Sequence, residues 1–527
     1  MNIQNKKIDN RRGFSTIELL IAFAILLVNI TGILLLSSGV QGQGQGTAAL
    51  LYQGQSVSVN SETNQEAIHM AQGLLEKARA DSREDFNLVN PYTGSNPSGP
   101  LTYTETLNVT QPDFFTKEVV STVTWEIAGK NFSSILTTLL TNPEAINGGD
   151  TCGSVLEGDW TNLQKTEYEF GDDILNDTSS GFPITAIQTF DKKMYITVNN
   201  VNGNNDETFF ILNITDSVLT NGDVLGKLDN SPGAISEGLS SVAVDGTSYA
   251  YVANAYDSSP KTCIENHNCA QLQIIDIGNP SNPSVIRNFK VDSSTSGNKL
   301  ANGTSVFYRN KIVYLGLANA TSGPELYILD VGGGGMGGTP SSPIVLSSIE
   351  IGNGINAISV KDNYLYMASP HSQELKIFNV SDLSSPASAG NFNSLSGSGN
   401  GKSMYLVGSK LYLGKTVPNT GNDFHILNKT NSDIALPELG GKNFTSSING
   451  IIVRNYLAFF ITSNGQFQTW KIDDPTNITE YASPLTLPPG SGGGLQGTAT
   501  DCEGNYIFVG SESSNDKGYI SVITGGP

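Results

Sequence analysis

Arg11-Arg12-Gly13-Phe14-Ser15-Thr16-Ile17-Glu18 sets two cations, a small residue, an aromatic and one carboxylate at the start of an apolar run that continues to Leu36. The chemistry this order suits is peptide-bond cleavage between Gly13 and Phe14. In a secretory signal the small-residue cut follows the apolar core. Here it precedes the core, so cleavage removes the charged leader and keeps the apolar run. Glu18 is the one carboxylate of that run. A charged side chain at mid-membrane costs about 2.5–3.5 kcal/mol or more, so such residues are usually functional and paired.

Other residues with chemical capacity are few. The four cysteines are Cys152, Cys263, Cys269 and Cys502, and four cysteines permit three disulfide connectivities. Cys263 and Cys269 bracket a short polar loop and form the natural local pair, which leaves Cys152 and Cys502. A zinc site using the intervening His267 is disfavoured, because the spacing does not match a two-residue knuckle. The remaining histidines are His69, His371 and His425. His371 follows Ser369-Pro370 at a strand end, where a surface-loop role outweighs a ligand-facing one. Asn200-Val201-Asn202-Gly203-Asn204-Asn205-Asp206-Glu207 offers many oxygens to Ca²⁺. It lacks the EF-hand pattern, and a polar hairpin tip is the simpler expectation. Gly332–Gly338, around Met336, reads as a flexible connection and not as a nucleotide loop. No nucleophile elbow, His-Glu-x-x-His helix or phosphate loop occurs, so neither enzymatic activity nor a cofactor is expected.

The order from Gly13 to about Val28 closely resembles the prepilin, or class III, leader of type IV pilins and pseudopilins. The resemblance implies that a prepilin peptidase cuts after Gly13 and N-methylates Phe14. It implies that Glu18 pairs with the N-terminal ammonium of a neighbouring subunit as helices pack into a filament. The partners it implies are the prepilin peptidase, other pilin or pseudopilin subunits and the membrane.

The elements around these residues follow from composition and periodicity. The chain has 527 residues, which predicts two or more domains. Its 49 Asp+Glu against 29 Lys+Arg give a net charge of −20, which argues against phosphate-backbone binding, so no nucleic-acid partner is expected. Lys6, Lys7, Arg11 and Arg12 precede the apolar run, and the positive-inside bias places the N-terminus in the cytoplasm and the rest outside. The expected location is a single pass of the inner membrane, then an extracellular filament or the cell surface. Phe14–Leu36 reads as the transmembrane helix. After Gln41–Gly46, helical periodicity resumes with Ala67, Met70, Ala71, Leu74, Leu75 and Ala78 on one stripe. Asn90–Pro100 reads as a loop. Strands are expected over Thr102–Val109, Lys117–Ile127 and Phe132–Leu140, with Trp125 in a core; a long helix and small sheet in this order resemble a pilin head.

Beyond about residue 142 the chain repeats. An aromatic-aliphatic strand recurs near Tyr195, Tyr251, Tyr314, Tyr366, Tyr412, Leu457 and Phe508, followed by an aliphatic strand ending in Asp or Asn. The 45–65-residue spacing reads as four-stranded propeller blades. Asp276–Pro283 and Asn379–Pro386 resemble LVIVD-type propeller repeats. The last copy ends after its third strand, and an exposed edge is a liability. Lys165–Phe170 therefore supplies its outer strand, which makes a Cys152–Cys502 bridge across the seam conceivable.

The expected fold is an α+β N-terminal pilin-like module, with a long hydrophobic helix plus a small antiparallel sheet, followed by an all-β seven-bladed propeller. The expected domains are a leader (1–13), a transmembrane and stalk helix (14–84), a β head (85–150), a linker (151–164) and the propeller (165–527). The function implied is that of a minor, tip-located pilin-like or pseudopilin subunit. It displays its propeller for adhesion or recognition of an unknown extracellular ligand. The alternative is a membrane-tethered extracytoplasmic propeller enzyme or binding protein outside any filament.

Overall fold

The computed structural model describes residues 47–84, 86–98, 100–113, 116–141, 152, 156–177, 182–199, 207–215, 218–229, 236–256, 270–291, 302–319, 323–332, 335–370, 373–394, 399–407, 409–416, 421–429, 436–488, 496–513 and 517–527. The chain divides into two compact units, Met1–Glu66 and Ala67–Pro527.

Helix α1 spans Thr47–Glu84. From Ala67 on, its apolar stripe is buried: Ala67, Ala71, Leu75 and Ala78 are all nearly inaccessible. The small alanines bring the helix close to a four-stranded meander of β1 (Tyr92–Ser98), β2 (Leu101–Asp113), β3 (Thr116–Ile127) and β4 (Lys130–Thr141). Ala67 and Ala71 pack with Tyr103, Val123 and Trp125, while Leu75 and Ala78 pack with Phe86, Val89, Leu107, Val119 and Leu140. Trp125 is a core residue, stacked on Phe132 with ring centroids 5.8 Å apart. Lys117 is fully buried on β3. Its ammonium donates to Phe86 O at 2.6 Å and Val89 O at 3.3 Å, fixing the turn after the helix. Strand β1 occupies the stretch read from sequence as a loop. It is an edge strand, where Pro97 gives up a donor that no central ladder needs.

Two expectations are corrected. The sequence predicts an α+β module on a long hydrophobic helix and a single-pass location in the inner membrane. The described chain is instead nearly all β. Its long helix α1 carries Gln, Ser, Asn, Glu, Lys and Arg through most of its turns. Among the described residues no helix is long and apolar enough to cross a membrane. Phe14–Leu36, with Gly13 and Glu18, lies outside the described residues.

The remainder is seven four-stranded antiparallel sheets. Blade 1 is β6–β9 (Ile184–Phe190, Lys193–Val198, Glu207–Asn213, Val224–Asp229) and blade 2 is β10–β13 (Ser236–Val244, Tyr249–Tyr256, Leu272–Asp276, Ser284–Phe289). Blade 3 is β14–β17 (Gly303–Arg309, Ile312–Leu317, Leu326–Asp330, Ile344–Ile349) and blade 4 is β18–β21 (Ala357–Lys361, Tyr364–Ala368, Leu375–Asn379, Ala387–Phe392). Blade 5 is β22–β25 (Gly401–Val407, Lys410–Lys415, Phe424–Asn428, Glu438–Lys442) and blade 6 is β26–β29 (Ile448–Arg454, Leu457–Thr462, Gln466–Lys471, Thr479–Thr486). Blade 7 combines β30–β32 (Gln496–Glu503, Tyr506–Glu512, Gly518–Gly526) with β5 (Asp159–Glu169).

The first strand of each blade touches that of the next, and β30 touches β6, so the ring is closed. Each interblade space holds its own core. Ile312 and Tyr314 face blade 4, while Val313 and Leu315 on the same strand face blade 2. Side chains alternate across a strand. A strand buried on both faces is therefore apolar throughout, which is why Ile312–Leu315 shows no polar alternation.

Candidate functional site at the ring seam

The ring closes where the two ends of the propeller chain meet. Strand β5 pairs antiparallel with β32, with Glu169 opposite Tyr519, Glu167 opposite Ser521 and Lys165 opposite Ile523. The expected closing strand is thus present, and it extends back to Asp159. A covalent bond reinforces it: Cys152 is joined to Cys502 on β30, with Cα atoms 5.0 Å apart and 350 residues between them in sequence. Glu157 N donates to Asn505 Oδ1 at 2.8 Å and Asn505 Nδ2 returns a bond to Glu157 O at 2.9 Å. Trp160 Nε1 donates to the same carbonyl, and its ring meets Phe459 of blade 6 edge-on at 5.1 Å. Gly158 is required here. Its φ is +84°, and a Cβ would stand 2.7 Å from Gly526 O.

Beside the closing strand lies a cavity of about 470 Å³, lined by Lys165, Glu167, Glu169, Asp173, Thr486, Leu487, Pro488 and Tyr519. Alternation puts Lys165, Glu167 and Glu169 on one face of β5. The turn Phe170–Ile174 brings in Asp173, whose Oδ2 accepts from Glu169 N at 2.7 Å. Lys165 donates to Thr486 O and pairs with Glu167. Lys517 pairs with Glu169, which raises the lysine pKa. Burial, with Glu169 next, raises the Tyr519 hydroxyl pKa. The lining carries three carboxylates and Lys165, with Lys517 paired to Glu169, beside the buried Leu487 and Pro488; the small net negative charge that remains suits a cationic group.

A second set of residues pins the chain leaving a blade to that blade's own third strand. In four blades an acid or amide directly precedes the third strand and reaches the chain leaving the fourth. Gln271 Oε1 accepts from Val291 N at 3.2 Å. Glu325 Oε2 accepts from Ile351 N at 2.8 Å and Gly352 N at 3.1 Å. Glu374 Oε2 accepts from Ser394 N at 3.0 Å, and Asp423 accepts from Phe444 N and Ser446 N. Glu374 also receives the fully buried Lys415 ammonium of blade 5 at 2.7 Å. Sequence inspection missed these latches. Their signal is the recurring Gln271-Leu272, Glu325-Leu326, Glu374-Leu375 and Asp423-Phe424.

Of the residues singled out from sequence, the described ones are not assembled into one centre. Gly13, Phe14, Glu18, Cys263, Cys269, His267, His371 and residues 200–206 lie outside the described residues. Glu207, the last of the oxygen-rich run, pairs with Lys227 at 2.6 Å. His69 is exposed on α1. His425 is buried, its Nδ1 2.7 Å from Glu438 Oε1 and its Nε2 3.1 Å from Asn422 O. Asp330 gathers the glycine loop, accepting from the N–H groups of Gly332, Met336 and Gly338. Among the described residues no group of three or more His, Cys, Asp or Glu is placed to hold a metal.

The LVIVD repeat family model matches residues 268–291 and 355–394, which carry β12–β13 and all of blade 4. None of the curated proteins compared matches the chain. Among solved structures, the chain is similar to the computationally designed Ika8 protein (11% identity, 66% of this chain and 98% of that one, TM-score 0.42). It is also similar to a chain of the Mitotic Checkpoint Complex (10% identity, 69% and 94%, TM-score 0.46) and to the WD40 beta propeller domain of Doa1 (12% identity, 69% and 98%, TM-score 0.43). The chain contains LVIVD repeats, and the β-propeller fold and its blade count rest on the chain's own strand order and ring closure.

Proposed function

We propose that this chain is a minor pilin-like or pseudopilin subunit, processed at Gly13–Phe14, whose extracellular propeller recognises a protein by an exposed basic side chain. The seam cavity supports the recognition part, because it combines a small net negative charge with the volume of a small-ligand site. The Cys152–Cys502 bridge supports export, since disulfides persist in oxidising compartments. The order Arg11 to Glu18 supports processing. The propeller fold by itself names no ligand.

Two measurements test the two halves. The first is intact-mass and N-terminal analysis after co-expression with a prepilin peptidase. It should show loss of residues 1–13 and a methylated Phe14, both blocked by Gly13→Ala; an uncut chain overturns the processing half. The second is binding of Lys- and Arg-containing peptides to the wild type and to Glu167→Gln/Asp173→Asn. The double variant should bind about tenfold more weakly, and added salt should weaken the wild type. Equal binding by both proteins removes the cavity from recognition.

A further inference from the structure

The innermost strand of six blades carries a β-bulge against its second strand, and the extra residue is polar every time: Thr185, Ser240, Thr304, Lys402, Asn449 or Thr498. In blade 4, Asn356 stands at the same place, directly before β18. A bulge re-aims its extra side chain. The innermost strands touch around the closed ring, so these residues form one row around the channel of the propeller.

Four members of the row are spent in a belt. Each donates to the carbonyl just before the next blade's member. Thr185 Oγ1 reaches Leu239 O, Thr304 Oγ1 reaches Ile355 O at 2.6 Å, Asn356 Nδ2 reaches Gly401 O at 2.6 Å and Asn449 Nδ2 reaches Gly497 O at 2.6 Å. The belt breaks at blade 5. There Ile448 O takes the Ser403 hydroxyl at 2.8 Å, and Lys402 makes no hydrogen bond or ion pair among the described residues. Burial lowers the Lys402 pKa, with no neighbouring charge to offset it, and a desolvated charge without a partner is costly. Two neighbours are unspent as well. Asn449 Nδ2 is committed to Gly497 O, which fixes the amide with Oδ1 spare, and that oxygen is buried without a partner. Thr498 Oγ1 is also buried without a partner. The bonds from Ser403 to Ile448 and from Asn449 to Gly497 place Lys402, Asn449 and Thr498 successively around the axis. Residues 395–398 and 489–495, which lead into the first strands of blades 5 and 7, contain no Asp or Glu.

We infer that Lys402, Asn449 and Thr498 bind a small hydroxy-carboxylate, with its carboxylate on the Lys402 ammonium, a hydroxyl donating to Asn449 Oδ1 and a further polar atom on Thr498 Oγ1. One cation without a counter-charge matches one negative charge. Asn449 Oδ1 can only accept, so the ligand also donates. That donor is a hydroxyl and not an ammonium, because the row holds no carboxylate to balance an added cation. A phosphate dianion would leave one charge unmatched on a chain of net charge −20. A sugar acid carries the required pair of groups. None of the three residues lines the seam cavity, so this is a second site of opposite preference.

The test is isothermal titration of the full-length chain in mild detergent with D-glucuronate, D-glucose, acetate and inorganic phosphate. Glucuronate should bind at least about tenfold more tightly than any of the others. Lys402→Met should weaken it at least about tenfold, and Thr498→Val about threefold to tenfold, with circular dichroism checking that each variant is folded. No glucuronate binding, equal binding of glucose, acetate or phosphate, or wild-type affinity in a folded Lys402→Met variant each overturns the inference. If the methionine variant fails to fold, wild-type affinity in Thr498→Val overturns it in the same way. Peptidase processing and binding of basic peptides are read separately, so failure here leaves the proposed function standing.

Discussion

Breaking the Cys152–Cys502 bridge should loosen the whole propeller and not only its edge. The two cysteines are 350 residues apart, so the bond removes a very large loop from the unfolded ensemble. The chain-entropy relation for a loop of that length gives about 6 kcal/mol at 25 °C, above the roughly 2–5 kcal/mol that native bridges usually contribute. Unfolding entropy near 2.1 cal/mol/K per residue over roughly 370 propeller residues is about 0.8 kcal/mol/K, so losing about 3–6 kcal/mol lowers the midpoint by about 4–8 °C. Thermal unfolding of the Cys152→Ser/Cys502→Ser variant, followed by near-ultraviolet circular dichroism, reads this loss directly. The double serine variant leaves Cys263 and Cys269 as they are, so the shift belongs to the seam. Hydrogen exchange should show β5 and β32 opening first in the variant, since their pairing joins the two ends of the propeller chain beside the lost bridge. An unchanged midpoint and unchanged protection of β5 would refute the reasoning, because β5–β32 pairing alone would then account for closure.

Three further outcomes follow from particular contacts. Burial first, with Asp191 adding, pushes the Glu503 carboxyl up to about 7, while the bond from Lys192 N opposes it. The folded state then holds this proton above the ordinary carboxylate range, so stability falls as pH rises from about 4.5 through 7. Glu503→Gln should gain about 1–3 kcal/mol at pH 8 and nothing near pH 4.5, measured by urea unfolding. Lys415→Met strands the buried Glu374 carboxylate and should cost about 3–5 kcal/mol, and adding Glu374→Gln should recover much of it. Burial also raises the hydroxyl pKa of Tyr314 and Tyr366 to about 12. These tyrosines should stay protonated at pH 11 in the folded protein and titrate together as it unfolds, and ultraviolet absorbance at the phenolate band shows which.

The propeller was legible where burial leaves no choice of residue. Each second strand is covered on both faces, so Ile312–Leu315 and Tyr506–Val509 stand out as unbroken apolar runs at regular spacing. The closing strand was legible by subtraction, since the last copy lacked an outer strand and Lys165–Phe170 lacked a partner. Strand β1 was not legible. Asn96, Pro97 and Gly94 are turn formers, and only pairing with β2 makes them extended. The latch acids were hidden because one Glu or Asp before a strand looks solvated, whereas Glu325, Glu374 and Asp423 are buried and bonded to the chain leaving the blade. The long hydrophobic helix is not found among the described residues, where the helix over Thr47–Glu84 carries polar residues through most of its turns and from Ala67 on buries Ala67, Ala71, Leu75 and Ala78. The seam cavity draws its walls from residues 165–173 and 486–519, a separation no local pattern bridges.

Closure and the proposed recognition would share the same strand, which would couple them. Lys165, Glu167 and Glu169 form the cavity wall and also the ladder that completes blade 7. A ligand that binds only the closed seam stabilises it by RT ln(1 + [L]/Kd), about 2.7 kcal/mol at a hundred times Kd. Linkage runs both ways, so anything that opens the seam weakens the ligand by the same factor. The Cys152–Cys502 bridge fixes β30 relative to the segment leading into β5. Its reduction should therefore lower affinity for a basic peptide without touching a cavity residue. Titrating the same peptide into the oxidised chain and the Cys152→Ser/Cys502→Ser variant separates the alternatives. A weaker Kd in the variant, restored at lower temperature where β5 stays docked, ties recognition to closure. An identical Kd would mean that β5 holds its place through β32 alone and that the bridge serves only stability.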